Sequence, residues 1–423
     1  MLAYLLVSFI GGIVATAGPG AGAEVGSLDY SALRDVGLTK HWVANLPLAD
    51  GDSVGKAFLV EGDLYVATDN GTVFALQAEV GLIRWGIPLS AAHHRIYTPA
   101  RIRGVDDGEH LVVPTTTNFF IMDRYSGEVL GKFKPPFAPG SPVVGLENAL
   151  FAGSIDGSFY SYAWGGAGDL QLVKRWQIRT GGPVTAAPRL YDADKVLFAS
   201  QDGIVYSCSV ADKGYRWSFR TGGVILGNPA FDDGSVYVAS MDRSLYSLDL
   251  QSGAMSWRLR LPSPLNEGPL VVLDTVYQYC SDYGLIAVDA ATGAERWRDS
   301  SGLLLAAHIP HRDVVFTAGG RLNIVDHQTG NLLGSISAAP AELAVANAQS
   351  DAVFLLQRGG RVICLRPDNV PYLRPREVDA ARARLRTPPR RDVGAALTAD
   401  DTATEQADPL KDDPLRSRRD LRP

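Results

Sequence analysis

Aspartates recur at one kind of position along this chain of 423 residues. They stand between two short alternating stretches, in phrases such as TDNG, SIDG and SQDG. Carboxylates that gather on one face can bind a cation, but Asp-Gly and Asn-Gly are also the pairs that tight hairpin turns require. We interpret the following residues as turn residues, with a functional acidic rim as the alternative: Asp69, Asp156, Asp202, Asp242 and Asp282.

Two arginines lie in a repeated phrase, WQIRTGG (176–182) and WSFRTGG (217–223). Guanidinium groups can offer paired donors to a carboxylate or a phosphate. Arg179 and Arg220 are therefore candidate binding residues on the rim of the protein. The alternative is a structural role, in which they answer the nearby turn aspartates.

Histidines are the residues most suited to a metal, and His93 and His94 are adjacent in SAAHHRIY. Zinc sites need three or four ligands, and this pair has no clear third partner. His308 and His311, which flank Ile309-Pro310, are no better placed. We expect surface or rim histidines, keep His93 and His94 as candidate rim residues, and predict no metal site.

Cys208, Cys280 and Cys364 are the three cysteines, each inside a strand-like run of a different repeat. We expect the Cα atoms of cysteines in separate repeats to lie farther apart than a disulfide allows. We therefore interpret the three cysteines as buried apolar residues. The sequence has no nucleophile elbow, phosphate-binding glycine loop or zinc-type cysteine pair. We predict no catalytic residue and no cofactor.

A repeated phrase indicates the architecture that positions these residues. DAATGAERW (289–297) returns as DLQSGAMSW (249–257), QAEVGLIRW (77–85) and SVADKGYRW (209–217). Two alternating strand signals precede each copy, and the copies recur about every 40 residues, as in four-stranded propeller blades. We predict an all-β, eight-bladed β-propeller over residues 24–371, closed because LTKHWVANLPL (38–48) supplies the missing strand of the last blade.

Six of the seven tryptophans share one position in this repeat, and Trp164 is the exception. In DAATGAERW we expect the aspartate to cap the turn, the glycine to take a positive φ, and the outer strand to follow. An indole on that strand is large enough to cover the gap between blades. We expect inter-blade packing by the following residues: Trp42, Trp85, Trp176, Trp217, Trp257 and Trp297.

The two ends of the chain differ from the repeats. Residues 1–23 hold a short apolar run and end in Ala-Gly-Ala, which predicts a signal peptide and export to the periplasm or the cell exterior. No cysteine lies near Ala23 for lipid attachment, and no later segment suits a transmembrane helix. Residues 372–423 alternate in charge blocks, which predicts a disordered interaction tail in which PREVDAARARLR can form a helical turn or two when bound.

The net charge of −6 gives no electrostatic footprint for nucleic acid. The segment VYQYCSDYGLIAVDAATGAERW (276–297) resembles the repeat of the pyrroloquinoline quinone (PQQ) propeller superfamily, whose A-x-D-x-x-T-G-x-x-x-W phrase it matches at the following residues: Ala287, Asp289, Thr292, Gly293 and Trp297. That superfamily contains quinoprotein dehydrogenases and non-enzymatic BamB-type scaffolds.

The resemblance implies a non-catalytic scaffold that binds a protein partner in the cell envelope, with the β-barrel assembly machinery as the candidate partner. We expect a monomer within a complex. Two alternatives remain: a PQQ-dependent dehydrogenase, and a receptor that holds a carbohydrate or small molecule in the central funnel. The dehydrogenase is disfavoured because many such enzymes place a disulfide between adjacent cysteines over the quinone, and no two cysteines are neighbours here.

Overall fold

The computed structural model describes residues 14–16, 28–92, 94–103, 109–146, 149–165, 171–192 and 194–386. Within these ranges no helix has the length and apolar character needed to cross a membrane. The predicted signal peptide lies outside the described residues except for Val14–Thr16, which forms strand β1.

The strands form eight antiparallel sheets arranged as the blades of a propeller. Two elements follow β1 before the first complete blade, helix α1 (Tyr30–Asp35) and strand β2 (Leu38–Asn45). Blade 1 contains β3 (Val54–Val60), β4 (Asp63–Thr68), β5 (Thr72–Gln77) and β6 (Ile83–Pro88). Blade 2 contains β7 (Ala100–Arg103), β8 (Glu109–Pro114), β9 (Phe119–Asp123) and β10 (Val129–Phe133). Blade 3 contains β11 (Pro139–Leu146), β12 (Ala149–Ser154), β13 (Ser158–Gly165) and β14 (Gln171–Arg179).

The remaining blades follow the same order from the inner to the outer strand. Blade 4 contains β15 (Arg189–Tyr191), β16 (Lys195–Ala199), β17 (Ile204–Ser209) and β18 (Tyr215–Arg220). Blade 5 contains β19 (Ala230–Phe231), β20 (Ser235–Ser240), β21 (Ser244–Asp249) and β22 (Met255–Arg260). Blade 6 contains β23 (Leu270–Val272), β24 (Thr275–Cys280), β25 (Gly284–Asp289) and β26 (Glu295–Asp299). Blade 7 contains β27 (Gly302–Ile309), β28 (Arg312–Thr317), β29 (Arg321–Asp326) and β30 (Leu332–Ser337).

Blade 8 joins the two ends of the array. It contains β31 (Leu343–Val345), β32 (Val353–Leu356) and β33 (Arg361–Pro367), and β2 pairs with β33 as its outer strand. Trp42 of β2 lies opposite Cys364, as the closure prediction requires. The eight-bladed, all-β fold with an N-terminal closing strand is thus confirmed. In addition, β1 pairs with β31 as a fifth strand.

Burial explains why the middle strands are so apolar. In β4 every residue is buried, because both faces of the strand pack against neighbouring blades, whereas residues of the outer strand β22 alternate between exposed and half-buried. The core is therefore a series of clusters between blades, in which the apolar face of one sheet covers the next.

The repeated aspartate-to-tryptophan phrase forms the turn between the third and fourth strands and the contact with the preceding blade. Asp289 Oδ1 accepts hydrogen bonds from the amide and hydroxyl of Thr292, and Gly293 has a φ of +74°. A Cβ on Gly293 would lie 2.6 Å from the indole of Trp257, which belongs to blade 5. Trp257 Nε1 also donates to the Ala290 carbonyl at 2.8 Å. The glycine therefore supplies both the backbone angle and the space for its neighbour's tryptophan.

Two seams are filled differently, because blades 2 and 7 have glycine where the other blades have tryptophan. Between blades 2 and 3, Phe137 stacks on Tyr160 with ring centroids 4.1 Å apart, and Trp164 is buried in the same cluster. Between blades 7 and 8, the chain around α1 enters the gap: Leu33 is fully buried, and Val36 lies against Gly334.

The segment after blade 8 contains a helix at PREVDAARARLR, within the tail predicted from residue 372. Helix α2 covers Pro375–Arg386 and is stabilised at its start, where the Arg374 amide donates to Glu377 Oε2 at 2.8 Å. Proline at the first helical position and the following alanines favour the helix. Residues 387–423 lie outside the described residues, so the prediction for them is untested.

Candidate protein-binding rim

One face of the ring carries the turns between second and third strands and the connections between blades. The turn aspartates bind backbone there. Asp202 Oδ2 accepts the Gly181 amide at 2.8 Å, and its Oδ1 accepts the Ile204 amide at 2.9 Å. Gly181 belongs to the connection that enters the blade of Asp202, so this carboxylate fixes the connection to the turn.

Asp242 repeats this arrangement one blade further on. It accepts the amides of Gly222 and Ser244, at 2.8 and 2.9 Å, and the Tyr246 hydroxyl. Partial burial by itself would raise the pKa of Asp242, but these hydrogen bonds outweigh it and hold the pKa below its usual value. The carboxylate is therefore ionised at neutral pH and fully engaged within the protein.

The arginines of the repeated phrase are held at the ends of their strands with exposed side chains. Thr221 Oγ1 donates to the Gly223 carbonyl at 2.7 Å, and a Cβ on Gly223 would lie 2.7 Å from the Asp242 nitrogen, so the phrase is tightly built. Arg220 Nη1 donates to the backbone carbonyl of Asp202 at 3.2 Å, and Arg179 is exposed at the end of β14. Arg220 therefore binds the turn at the backbone carbonyl of Asp202 and not at its carboxylate. The side chains of Arg179 and Arg220 are both exposed to solvent.

Two apolar side chains stand exposed on this same face. Ile155 lies in the turn between β12 and β13 and is 55% exposed. Val224 lies in the connection from β18 to β19 and is 37% exposed. We call the set of Ile155, Arg179, Arg220 and Val224 the rim patch; it extends over blades 3 to 5. Sequence patterns did not single out Ile155 or Val224, because exposure of one apolar residue in a turn leaves no periodic signal.

Of the two predicted rim histidines, the structure describes His94 alone. His93 lies outside the described residues. His94 is exposed, and its Nδ1 lies 3.1 Å from Ser90 Oγ in the connection between blades 1 and 2. His94 therefore lies on the same face as the rim patch but in a different sector of the ring.

A cluster that the sequence analysis missed lies on blade 7. His308 Nδ1 is 2.7 Å from Asp313 Oδ1, and His327 Nδ1 is 3.0 Å from Asp313 Oδ2. Tyr277 of blade 6 donates its hydroxyl to Asp313 Oδ2 at 2.6 Å. Burial by itself would raise the pKa of Asp313, but the hydrogen bonds from His308, His327 and Tyr277 outweigh it and lower the pKa. The sequence offered one sign of this cluster, because His308 and Asp313 are five residues apart across a hairpin turn. Nothing in the sequence indicated that His327, on the next turn, would join them.

The cysteines are buried and unpaired, as free thiols in three different sheets. Burial raises the pKa of Cys208 to about 12. A thiol with so high a pKa stays protonated and unreactive at neutral pH.

Comparisons with known proteins find similar propellers. The model of the family described as outer membrane protein assembly factor BamB matches residues 167–302 and 201–366. The crystal structure of BamB from Moraxella catarrhalis superimposes with a TM-score of 0.62 at 18% identity and covers 79% of this chain and 99% of that chain. The computationally designed Ika8 protein aligns with a TM-score of 0.58 at 16% identity, covering 76% of this chain and 98% of its own.

No curated protein sequence matches the chain. At 18% and 16% identity, the two solved structures support the fold alone. The family match also supports the type of repeat. The repeated phrase, the closed ring of eight blades and the family match over residues 167–366 together support a PQQ-like β-propeller similar to the BamB type.

Proposed function

We propose that this chain is an exported, non-catalytic scaffold that binds a protein partner in the cell envelope through the rim patch. The observation that carries the proposal is the composition of that patch. Two exposed aliphatic side chains, Ile155 and Val224, stand with two exposed arginines on a rigid face. Arginine is enriched in protein interfaces and at their hot spots, and exposed apolar groups supply the area that association buries.

The carboxylates of this face support binding rather than catalysis. Asp202 and Asp242 spend their oxygens on backbone amides and tyrosine hydroxyls. A general base needs a free lone pair directed at a substrate, and a calcium site needs several free oxygens. These two residues instead fix the backbone of the connections at Gly181 and Gly222, which follow Arg179 and Arg220, and an ordered connection loses less entropy when a partner binds.

The family match suggests the nature of the partner, since its name refers to outer-membrane protein assembly. We propose a component of the β-barrel assembly machinery, bound by a single copy of this chain in the periplasm. An acidic or extended segment of that component suits the arginines and the exposed edges of the outer strands. The predicted signal peptide agrees with this location.

Site-specific photo-crosslinking tests the proposal. A photoreactive amino acid is placed at Ile155 or at Val224, and the purified chain is irradiated with envelope extract. We expect a crosslink to a β-barrel assembly component from both positions. Leu273 provides the matched control, because it is 71% exposed in a turn between first and second strands, on the opposite face.

Four outcomes would count against the proposal. Equal crosslinking from Leu273 would show that the rim patch is not the binding site. If no crosslink formed from the rim patch, the scaffold role would be rejected. Turnover with PQQ, Ca²⁺ and a dye acceptor would instead make the chain a dehydrogenase. A sugar that raises the melting temperature by mass action would favour the receptor alternative.

A further inference from the structure

Three potential metal ligands converge at the edge of blade 7, on the face opposite the rim patch. His308 of β27 and Asp313 of β28 are cross-strand partners, and His327 follows the end of β29. The ligand atoms of the three side chains all lie within 4.8 Å of one another. Among the described residues they are the group of three His, Cys, Asp or Glu side chains close enough together to share one ion.

We propose that His308, Asp313 and His327 bind a divalent ion of the first transition row, such as Zn²⁺. The ion would lie between His308 Nδ1, His327 Nδ1 and one carboxylate oxygen of Asp313. Tetrahedral zinc with bonds of about 2.0 Å holds its ligand atoms about 3.3 Å apart. His308 Nδ1 and His327 Nδ1 lie 2.7 and 3.2 Å from the same oxygen, Asp313 Oδ1, so these two contacts need to lengthen by about 0.6 Å or less to reach that separation.

The groups behind these ligands are arranged as metal sites require. A ligating histidine usually donates its second ring nitrogen to a carboxylate or another oxygen, which fixes the tautomer. His327 Nε2 lies 3.4 Å from both Asp274 Oδ1 and Thr275 Oγ1. Asp274 is itself held by Arg296, whose Nη2 lies 2.8 Å from its Oδ2. The orientation that presents Nδ1 of His327 to the ion is therefore already set.

Burial adds a further argument. The side chain of Asp313 is fully buried, that of His327 is 6% exposed and that of His308 is 16% exposed. Such a setting excludes water from two ligands and leaves an approach beside His308, where a water molecule can complete the coordination. Tyr277 holds the second oxygen of Asp313, so the carboxylate is oriented for one bond to the ion.

A bound ion would fix the part of blade 7 that contacts blade 6. His327 also offers its carbonyl to Trp297 Nε1 at 2.8 Å, and Trp297 is the tryptophan that covers this seam. Metal occupancy should therefore raise the melting temperature of the ring. It should also change the fluorescence of Trp297 when a quenching ion such as Co²⁺ or Ni²⁺ replaces zinc.

The test uses the full chain without an affinity tag, stripped with EDTA and titrated with ZnCl₂ in a calorimeter. We expect one zinc ion per chain, and visible absorption typical of tetrahedral cobalt when CoCl₂ is used. His308→Ala should abolish binding. Asp274→Asn, which alters the support of His327 and leaves the three ligands in place, should weaken it about 10- to 100-fold.

His94→Ala is the matched control, because His94 is exposed and adjacent in sequence to His93, so adventitious zinc would bind there. The control variant should bind zinc as the wild type does. Zinc binding lost in His94→Ala, or retained in His308→Ala, would overturn the site, and so would a wild-type chain that binds no zinc, which would leave a hydrogen-bond cluster only. If His308→Ala does not fold, Asp274→Asn decides, since that side chain is 59% exposed.

Discussion

Seams closed by tryptophan and seams without it divide the ring into two kinds of contact. Between blades 4 and 5, the tryptophan of the repeat contacts the next blade: Trp217 is 8% exposed, packs on Gly253, and donates from Nε1 to the Leu250 carbonyl at 3.0 Å. Between blades 2 and 3, several rings share the task, among them Phe137, Tyr160 and Trp164. Both seams are filled by buried side chains, but the side chains differ between them.

This difference shows that the gap, and not the tryptophan, is the constant feature of the fold. In the regular seams, the tryptophan on the outer strand of one blade packs on the turn glycine of the next blade, as Trp217 does on Gly253 and Trp257 on Gly293. Where the tryptophan is lost, residues from an inter-blade connection or from the N-terminal segment fill the space. The two kinds of seam should therefore respond differently to loss of one side chain.

The largest effect is expected for Trp217→Ala. Removal of a buried indole costs its transfer free energy and leaves a cavity, about 3–5 kcal/mol in all. Urea unfolding measures the loss. A cost below about 1 kcal/mol would mean that the seam collapses onto the cavity and that one indole does not dominate it.

A smaller loss is expected for Gly253→Ala, about 2–4 kcal/mol. The alanine must adopt the left-handed conformation, since Gly253 has a φ of +70°, and its Cβ would overlap the indole of Trp217. Gly62→Ala is the control, because Gly62 has a φ of +82° but no atom within 4 Å of a Cβ. It should cost about 1 kcal/mol. Equal costs for the two variants would show that backbone strain alone explains the glycine.

The regular seams could be predicted from the sequence and the irregular ones could not, for a physical reason. Asp289, Gly293 and Trp297 have fixed spacing because a turn of constant length joins their strands, and this constancy revealed the blades and the closing strand. Phe137 lies in an inter-blade connection, and Leu33 lies in α1, before the first strand of the array. Residues in such segments have no repeat with which to be aligned.

The candidate sites show the same limit. Turn aspartates such as Asp202 could be placed on one face from their position in the repeat, because that face follows from strand direction. Contacts across the ring have no such rule. His327 and Asp313 meet because β28 and β29 are paired, but the approach of Tyr277 depends on how blade 6 packs against blade 7.

Phe137→Ala tests the shared seam, and we expect a loss of about 2 kcal/mol. The ring of Phe137 stacks on Tyr160 but is only half-buried, so it contributes part of the burial of a core aromatic and one ring pair. The remaining aromatic rings can still cover the gap. Unfolding in urea gives the comparison with Trp217→Ala, and an equal or larger loss for Phe137→Ala would contradict a shared seam.

The smallest effect concerns the aspartate turn, which is present in blades with the tryptophan and in blades 2 and 7 without it, and it depends on pH. Hydrogen bonds from the hydroxyl and amide of Ser252, with that of the Gln251 amide, lower the pKa of Asp249. Because the folded pKa lies below the unfolded value of about 3.9, this contribution is present above that value and is lost as the pH falls through the folded pKa. Asp249→Asn should flatten the acid limb of the stability curve measured by urea unfolding between about pH 5 and pH 2. Ser252→Ala, which keeps the carboxylate but removes its strongest donor, should flatten it less, and an unchanged limb in both variants would mean that the turn aspartate contributes no pH-dependent stability.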